Sequence, residues 1–166
     1  PYVEYRKIKP IYTIDEFKTE KCNNLYAFIL EKNYDILKEN GNLGMIVPIS
    51  YVSTKRMKPV RQLLSDNSKY QFCSSFADRP SCLFNGVHQK LNIILLEKER
   101  KSKNNTLYTS NYIHWYKEDR NEIFTNIFYK ENNFDTSDFI FKTGNEIEVN
   151  IINKISFSKN HNILSN

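Results

Sequence analysis

Apolar and polar positions along this chain follow two main patterns, a helical period and short unbroken runs, and each predicts a different element. After Asn23 and Asn24, the residues Leu25, Phe28, Ile29, Ile36 and Leu37 mostly keep a 3.6-residue spacing. That spacing predicts a helix with an asparagine cap, ended by Gly41 in a left-handed turn. Leu43, Gly44, Met45, Ile46 and Val47 then run without a polar break to Pro48. Such a short continuous run is expected of a parallel-sheet strand buried on both faces. Lys55 to Leu64 predicts a second helix, with Met57, Val60, Leu63 and Leu64 on one side and Pro59 out of keeping. Tyr70 to Phe76 predicts a strand, Ala77 to Gln89 is rich in turn formers, and Leu91 to Leu96 predicts another strand. Helix, strand, helix, strand, loop, strand is the rhythm of a wound α/β sheet.

On either side of this segment the pattern weakens. Residues 1–22 are polar with scattered tyrosines and predict a long, partly ordered loop. Glu97 to Asn105 is charged and has no core formers, so a boundary is placed there, giving residues 1–97 as one unit and 98–166 as an α+β extension. In the extension, Leu107 to Trp115 predicts a strand. Glu118 to Tyr129 predicts a helix through Ile123, Phe124 and Ile127, and Glu146 to Ile155 another through Ile147, Ile151, Ile152 and Ile155.

A length of 166 residues supports one ordinary domain with an appendage. Lysines and arginines number 24 against 19 carboxylates, a formal charge of +5, which admits a polyanionic partner without requiring one. Tyrosine and phenylalanine, 11 of each, lie among Asn and Lys, a mixture that can stack bases beside phosphate-binding groups and that AT-rich coding bias would produce equally well. Cys22, Cys73 and Cys82 form no C-x-x-C pair and read as buried, reduced thiols. No apolar run approaches the roughly 18 residues of a membrane span, and the front of the chain lacks a signal-peptide layout, so a cytoplasmic protein without a membrane partner is expected. The start at Pro1, without Met, suggests a segment of something larger.

Several chemistries lack their residues. Gly41, Gly44, Gly86 and Gly144 form no phosphate-cradling loop, and His88, His114 and His161 stand too far apart in sequence for a metal site. Neither a Ser/His/Asp arrangement nor the carboxylate-and-lysine cluster of a nuclease is evident, and no metal is expected.

What remains is a set of short motifs in a particular order: Pro1-Tyr2-Val3-Glu4-Tyr5, then Asn24-Leu25-Tyr26-Ala27-Phe28, then Asn42 through Ser50, then Arg56-Met57-Lys58-Pro59-Val60-Arg61. Asp78-Arg79-Pro80-Ser81-Cys82-Leu83-Phe84-Asn85-Gly86-Val87-His88-Gln89 follows. Together they resemble the second half of the amino-methylating DNA methyltransferases, and within these the Eco57I-like adenine-specific branch of restriction-modification enzymes. The likeness covers roughly residues 1 to 97.

The resemblance implies an α/β fold: the second half of a Rossmann-like, S-adenosylmethionine-dependent methyltransferase sheet, three strands with flanking helices, plus the extension. It implies methyl transfer from S-adenosylmethionine to adenine N6 in double-stranded DNA. Pro1 and Tyr2 would be the last residues of the family's Asn-Pro-Pro-Tyr motif, whose Asn and first Pro are not in this chain. Amide and carbonyl acceptors in that motif draw the N6 lone pair out of conjugation, and the aromatic residue, here Tyr2, stacks on a base flipped from the duplex. An ordinary strand-end tyrosine is the alternative. Phe84 would grip the other face of the base, unless His88 or Val87 takes that role or Phe84 plugs the core. Leu25 and Phe28 would line the cofactor site, Phe28 against its adenine ring, a core-facing Phe being the other reading. Arg79, Arg56 and Lys90 would meet DNA phosphates or be plain solvated surface.

By the same resemblance the amino-terminal half of the methyltransferase domain, with the main cofactor loop, is the implied partner, and a target-recognition or nuclease domain could share the parent protein. A DNA-binding or scaffolding fragment without catalysis is the competing description. Methylation of a protein glutamine or of RNA is a third.

Overall fold

The computed structural model describes residues 3–11, 16–100 and 105–161. A short helix α1 (Tyr5–Ile8) and a single 3-10 turn (Glu20–Cys22) lie in the stretch expected to be loop. They precede α2 (Leu25–Ile36), which Asn24 caps by accepting the Tyr26 N–H. Strand β1 (Asn42–Pro48) follows, then the short α3 (Ser50–Ser53), a 3-10 turn (Lys55–Met57) and α4 (Lys58–Ser65). Pro59 sits in the first turn of α4, where a missing N–H costs nothing. Strands β2 (Ser68–Phe76), β3 (Leu91–Lys98), β4 (Thr106–Ile113) and β5 (Tyr129–Glu131), and the helix α5 (Glu146–His161), follow among the described residues.

The five strands form one sheet in the order β1-β3-β2-β4-β5. β1 and β2 each pair antiparallel with β3, so they run parallel to one another with β3 between them. The helices α3 and α4 carry the crossover that two parallel strands require. β4 pairs parallel with β2, and β5 antiparallel with β4. The architecture is therefore mixed α/β with a mostly antiparallel sheet. β1 differs from expectation: its only partner among the described residues is antiparallel, and Asn42, Gly44 and Ile46 are exposed on one face, so only the alternate face is covered. Its continuous apolar run does not separate one covered face from two.

The covered face packs against α2 and α4. Tyr26, Ala27, Leu30 and Tyr34 of α2 and Val60 and Leu64 of α4 meet Val47, Cys73, Ile94 and Leu96 of the sheet. The stripe of α2 facing this cluster is thus carried by two tyrosines with Ala27 and Leu30; of the sequence pattern, Phe28 is buried in a separate cluster and Ile36 is exposed. Each tyrosine keeps a partner for its hydroxyl: Tyr26 lies 2.9 Å from the Ser50 hydroxyl, and Tyr34 donates to the Asn67 carbonyl at 2.7 Å.

Two buried cations hold the periphery. Lys98 Nζ donates to the carbonyls of Tyr34 and Leu37, both at 2.7 Å, closing the end of α2 where a cation meets free carbonyls and the dipole. Arg61 donates to five backbone carbonyls, those of Tyr51, Thr54, Thr136, Ser137 and Asp138, at 2.8–3.2 Å. The left-handed residue after α2 is Asn40 (φ 59), not Gly41. Gly41 is needed for closeness instead, since a Cβ there would lie 2.8 Å from the Lys38 carbonyl oxygen.

The extension differs from expectation in one element. Instead of a helix over 118–129, a 3-10 turn (Lys117–Asn121) passes into further turns and then β5. Asn121, Thr125 and Asn126 are weak helix formers, and Ile123 and Ile127 are drawn instead into a cluster with Phe76, Trp115 and Leu83. The segment from residue 98 onward also adds β4 and β5 to the sheet begun by β1.

Candidate functional site

The ends of three strands and the start of a fourth come level at one end of the sheet. Leu91, the first residue of β3, pairs with both Pro48 at the end of β1 and Phe76 at the end of β2. Just beyond, the Ile49 N–H donates to the Lys90 carbonyl at 3.0 Å, and the Ala77 N–H to the Ile113 carbonyl at the end of β4 at 2.9 Å. β1, β2 and β4 run parallel, so all present their carboxyl ends here, the end of an α/β sheet where ligands bind.

The front of α2 reaches the same end. Its Tyr26 hydroxyl contacts Ser50, immediately after β1, and burial raises the Tyr26 pKa to about 12. The start of the chain is tied to this helix front: the Leu25 N–H donates to the Val3 carbonyl at 2.9 Å, and Glu4 and Asn24 form an antiparallel bridge. Pro1 and Tyr2 lie outside the described residues.

Phe84 and Val87 stand on a tight turn in the loop entering β3. The Val87 N–H donates to the Phe84 carbonyl at 3.0 Å, and Gly86 between them has φ 75, the left-handed position of a type II turn. The turn leaves Phe84 45% exposed and Val87 46% exposed, a pair of apolar side chains facing solvent rather than plugging the core. His88, Arg79, Lys90 and Arg56 are exposed as well. Arg79 is anchored through its backbone, whose carbonyl accepts from His114 Nδ1 at 3.1 Å.

Phe28 is placed differently. It is 3% exposed, with the Tyr5 ring edge-on at 5.2 Å and the Phe17 ring at 5.8 Å, while Leu25 and Ile8 complete the cluster. This apolar aromatic nest is filled by the chain's own rings. A ring touching Phe28 must displace Tyr5 or Phe17.

Two residues at this end carry no sequence motif. The Arg120 guanidinium lies 5.5 Å over the Trp115 ring and donates to the Leu83 carbonyl at 2.9 Å and the Cys82 carbonyl at 3.4 Å, holding the base of the Phe84 turn. The single tryptophan beside Tyr116 and Lys117 was the available signal, hidden by reading 118–129 as a helix. No group of three or more His, Cys, Asp or Glu residues suited to a metal occurs among the described residues, and none of their helices is long and apolar enough to cross a membrane.

Residues 1–82 match the family model described as Eco57I restriction-modification methylase, which bears out the motif resemblance over that stretch. No curated protein matches the chain. Among solved structures, a DrdV–DNA complex studied by cryo-electron microscopy is similar at 15% identity and a TM-score of 0.59, covering 80% of this chain and 15% of that one. A nuclease-deletion mutant of the Type ISP restriction-modification enzyme LlaGI, in complex with a DNA substrate mimic, is similar at 16% identity and TM-score 0.56, covering 70% and 11%. The ATP-dependent Type ISP restriction-modification enzyme LlaBIII bound to DNA shows 16% identity and TM-score 0.55, covering 84% and 11%. These likenesses show a shared fold, and the chain spans only 11–15% of the length of those proteins.

Proposed function

We propose that this chain, whose residues 1–82 match the Eco57I restriction-modification methylase family model, is the carboxyl-terminal part of the catalytic domain of a site-specific DNA methyltransferase acting on adenine N6. The observation that carries the reading is convergence. The Val3–Leu25 joint is tied through α2 to Ser50 after β1, and the exposed Phe84 turn belongs to the loop that leaves β2 at the same end of the sheet.

In this reading Pro1 and Tyr2 close the amine-binding motif, and Tyr2 stacks on the flipped adenine. Phe84, with His88 beside it, covers the opposite face and restores stacking lost from the duplex, a cost of a few kcal/mol. S-adenosylmethionine, when bound, supplies an electrophilic methyl group, and Leu25 and Phe28 form one wall for its adenine ring. Holding amine and methyl donor in line is the chain's main contribution to rate. Arg79, Arg56 and Lys90 meet DNA phosphates. The rest of the cofactor site belongs to the amino-terminal half of the domain.

The test joins this chain to its native upstream sequence and measures methyl incorporation into duplex DNA. Tyr2→Ala and Phe84→Ala should each reduce incorporation at least tenfold, and DNA with N6-methyladenine at the target should accept no further methyl. Undiminished incorporation by Tyr2→Ala overturns the site. The sealed position of Phe28 favours a second description for the chain alone, a DNA-binding piece without cofactor. Calorimetric binding of S-adenosylmethionine to the 166 residues would refute that description.

A further inference from the structure

Beside the Phe84 turn is a cleft of about 280 Å³, between the loop that leaves β2 and the segment that follows β4. Its charged lining residues are Lys117 and Arg120, joined by Trp115, Ser81, Asn85 and Gly86. No carboxylate lines it, and neither cation has an ion-pair partner among the described residues. Of the two acids between them in sequence, Asp119 has its carboxylate engaged by the Tyr116 N–H at 2.9 Å, and Glu118 neither lines the cleft nor forms an ion pair among the described residues.

The wall is rich in donors with capacity to spare. Arg120 spends two of its five N–H groups on the Cys82 and Leu83 carbonyls, and the Lys117 ammonium carries three. Ser81 adds a hydroxyl and Asn85 an amide. A second, independent observation points the same way. Trp115, which lines the cleft, is 4% exposed, yet its indole Nε1 has no acceptor among the described residues, and a buried donor left unpaired costs about 1–3 kcal/mol. Two cations and further donors lining a cleft without a carboxylate suit an anion. Phe84, next in sequence to the lining residue Asn85, and Tyr116, between the lining residues Trp115 and Lys117, are 45% and 67% exposed and offer stacking surface.

We propose that this cleft seats a backbone phosphate of DNA beside the base held at Phe84. Arg120 acts there twice, as part of the anion seat and as a positioning residue that ties the Phe84 turn to it, so phosphate binding and base capture are mechanically joined. The inference rests on the DNA-methyltransferase reading for its choice of ligand. A free phosphate has the same chemistry, and the test separates the two.

Trp115 is the only tryptophan of the chain, so its emission reports on the cleft directly. A short duplex titrated into the 166-residue chain should shift or quench that emission. Raising salt should weaken binding, and Lys117→Gln, an exposed change that leaves the core intact, should lower the slope of log affinity against log salt by about one. Inorganic phosphate at equal phosphate concentration should give a smaller change or none; an equal change would make the seat one for free phosphate and overturn the DNA assignment. Unchanged Trp115 emission while labelled duplex binds by anisotropy, an unaltered salt slope in Lys117→Gln, or no duplex binding at all would each overturn the proposal. Methyl incorporation by the joined protein is read separately. Loss of the methylase reading with a DNA-dependent Trp115 signal leaves the phosphate seat standing, and the converse removes it alone.

Discussion

Arg61 offers the sharpest test of how the fold is held together. It is 2% exposed and has no carboxylate partner among the described residues; its guanidinium answers five backbone carbonyls. Two belong to the crossover between β1 and β2, and three to residues 136–138 of the extension. Arg61→Met keeps most of the volume and removes every donor. The Tyr51 carbonyl is fully interior, and leaving it unpaired costs about 2 kcal/mol, whereas the four part-buried carbonyls regain water and lose about 0.5 kcal/mol each, about 4 kcal/mol in all. Relief from burying a cation returns part of this, since burial already lowers the Arg61 pKa. The expected net loss is about 2–4 kcal/mol. Urea unfolding should show it as a lower midpoint at unchanged slope. Arg61→Lys keeps the charge but reaches fewer carbonyls and should lose about half as much. Hydrogen exchange should quicken first around residues 136–140, where the Ile140 N–H donates to the Val52 carbonyl at 2.8 Å. A midpoint within about 0.5 kcal/mol of the parent, or exchange that quickens elsewhere first, refutes the staple.

Burial holds the Cys73 thiol up at about 12 against 9.0 when free, so the unfolded chain loses that proton first. Its contribution is intact below pH 9 and fades as pH rises toward 12, by about 1.4 kcal/mol per unit at the steepest, and urea midpoints of Cys73→Ala should fall less over pH 9–10.5 than those of the parent. Gly144→Ala sets a Cβ 2.7 Å from the Asn111 backbone nitrogen and 3.2 Å from the Phe128 carbonyl oxygen, and thermal unfolding should register a loss of about 1–3 kcal/mol. Phe84→Ala, at an exposed turn, should leave thermal stability within about 0.5–1 kcal/mol while abolishing most methyl incorporation by the joined protein; a large stability loss would mean that the ring serves the core.

Element positions were legible where periodicity and punctuation agreed. Asn24 before an apolar helix, Pro48 after an apolar run and the Ile-Ile-Leu-Leu of β3 all marked real elements. Sheet direction was not legible, because an apolar run records burial and not the sense of its neighbour, and β1 proved to pair only antiparallel among the described residues. The helix expected at 118–129 failed for a tertiary reason: Ile123 and Ile127 serve a cluster around Phe76 that turns satisfy. At the site, the motif order marked the Phe84 turn, which stands exposed, while Phe28, given a cofactor role by the same resemblance, is sealed by Tyr5 and Phe17. Arg120 was illegible because its role depends on carbonyls nearly forty residues upstream, although the single tryptophan it covers marked the place.

That distance bears on how the two parts of the chain relate. The charged stretch 97–105 looks like a linker in sequence, yet the strand after it joins β2 in parallel register and ends where β2 ends, with the Ala77 N–H on the Ile113 carbonyl. Ile140 enters the cluster under α2 and α4, and Trp115 and Ile123 cover Phe76. Arg61 reaches forward to residues 136–138, and Arg120 reaches back to the Phe84 turn. Cross-links running in both directions through backbone carbonyls fix geometry without depending on which side chains the loops carry. Apart from Gly86, whose φ of 75 favours glycine, the side chains of the turn can therefore change with little effect on its placement.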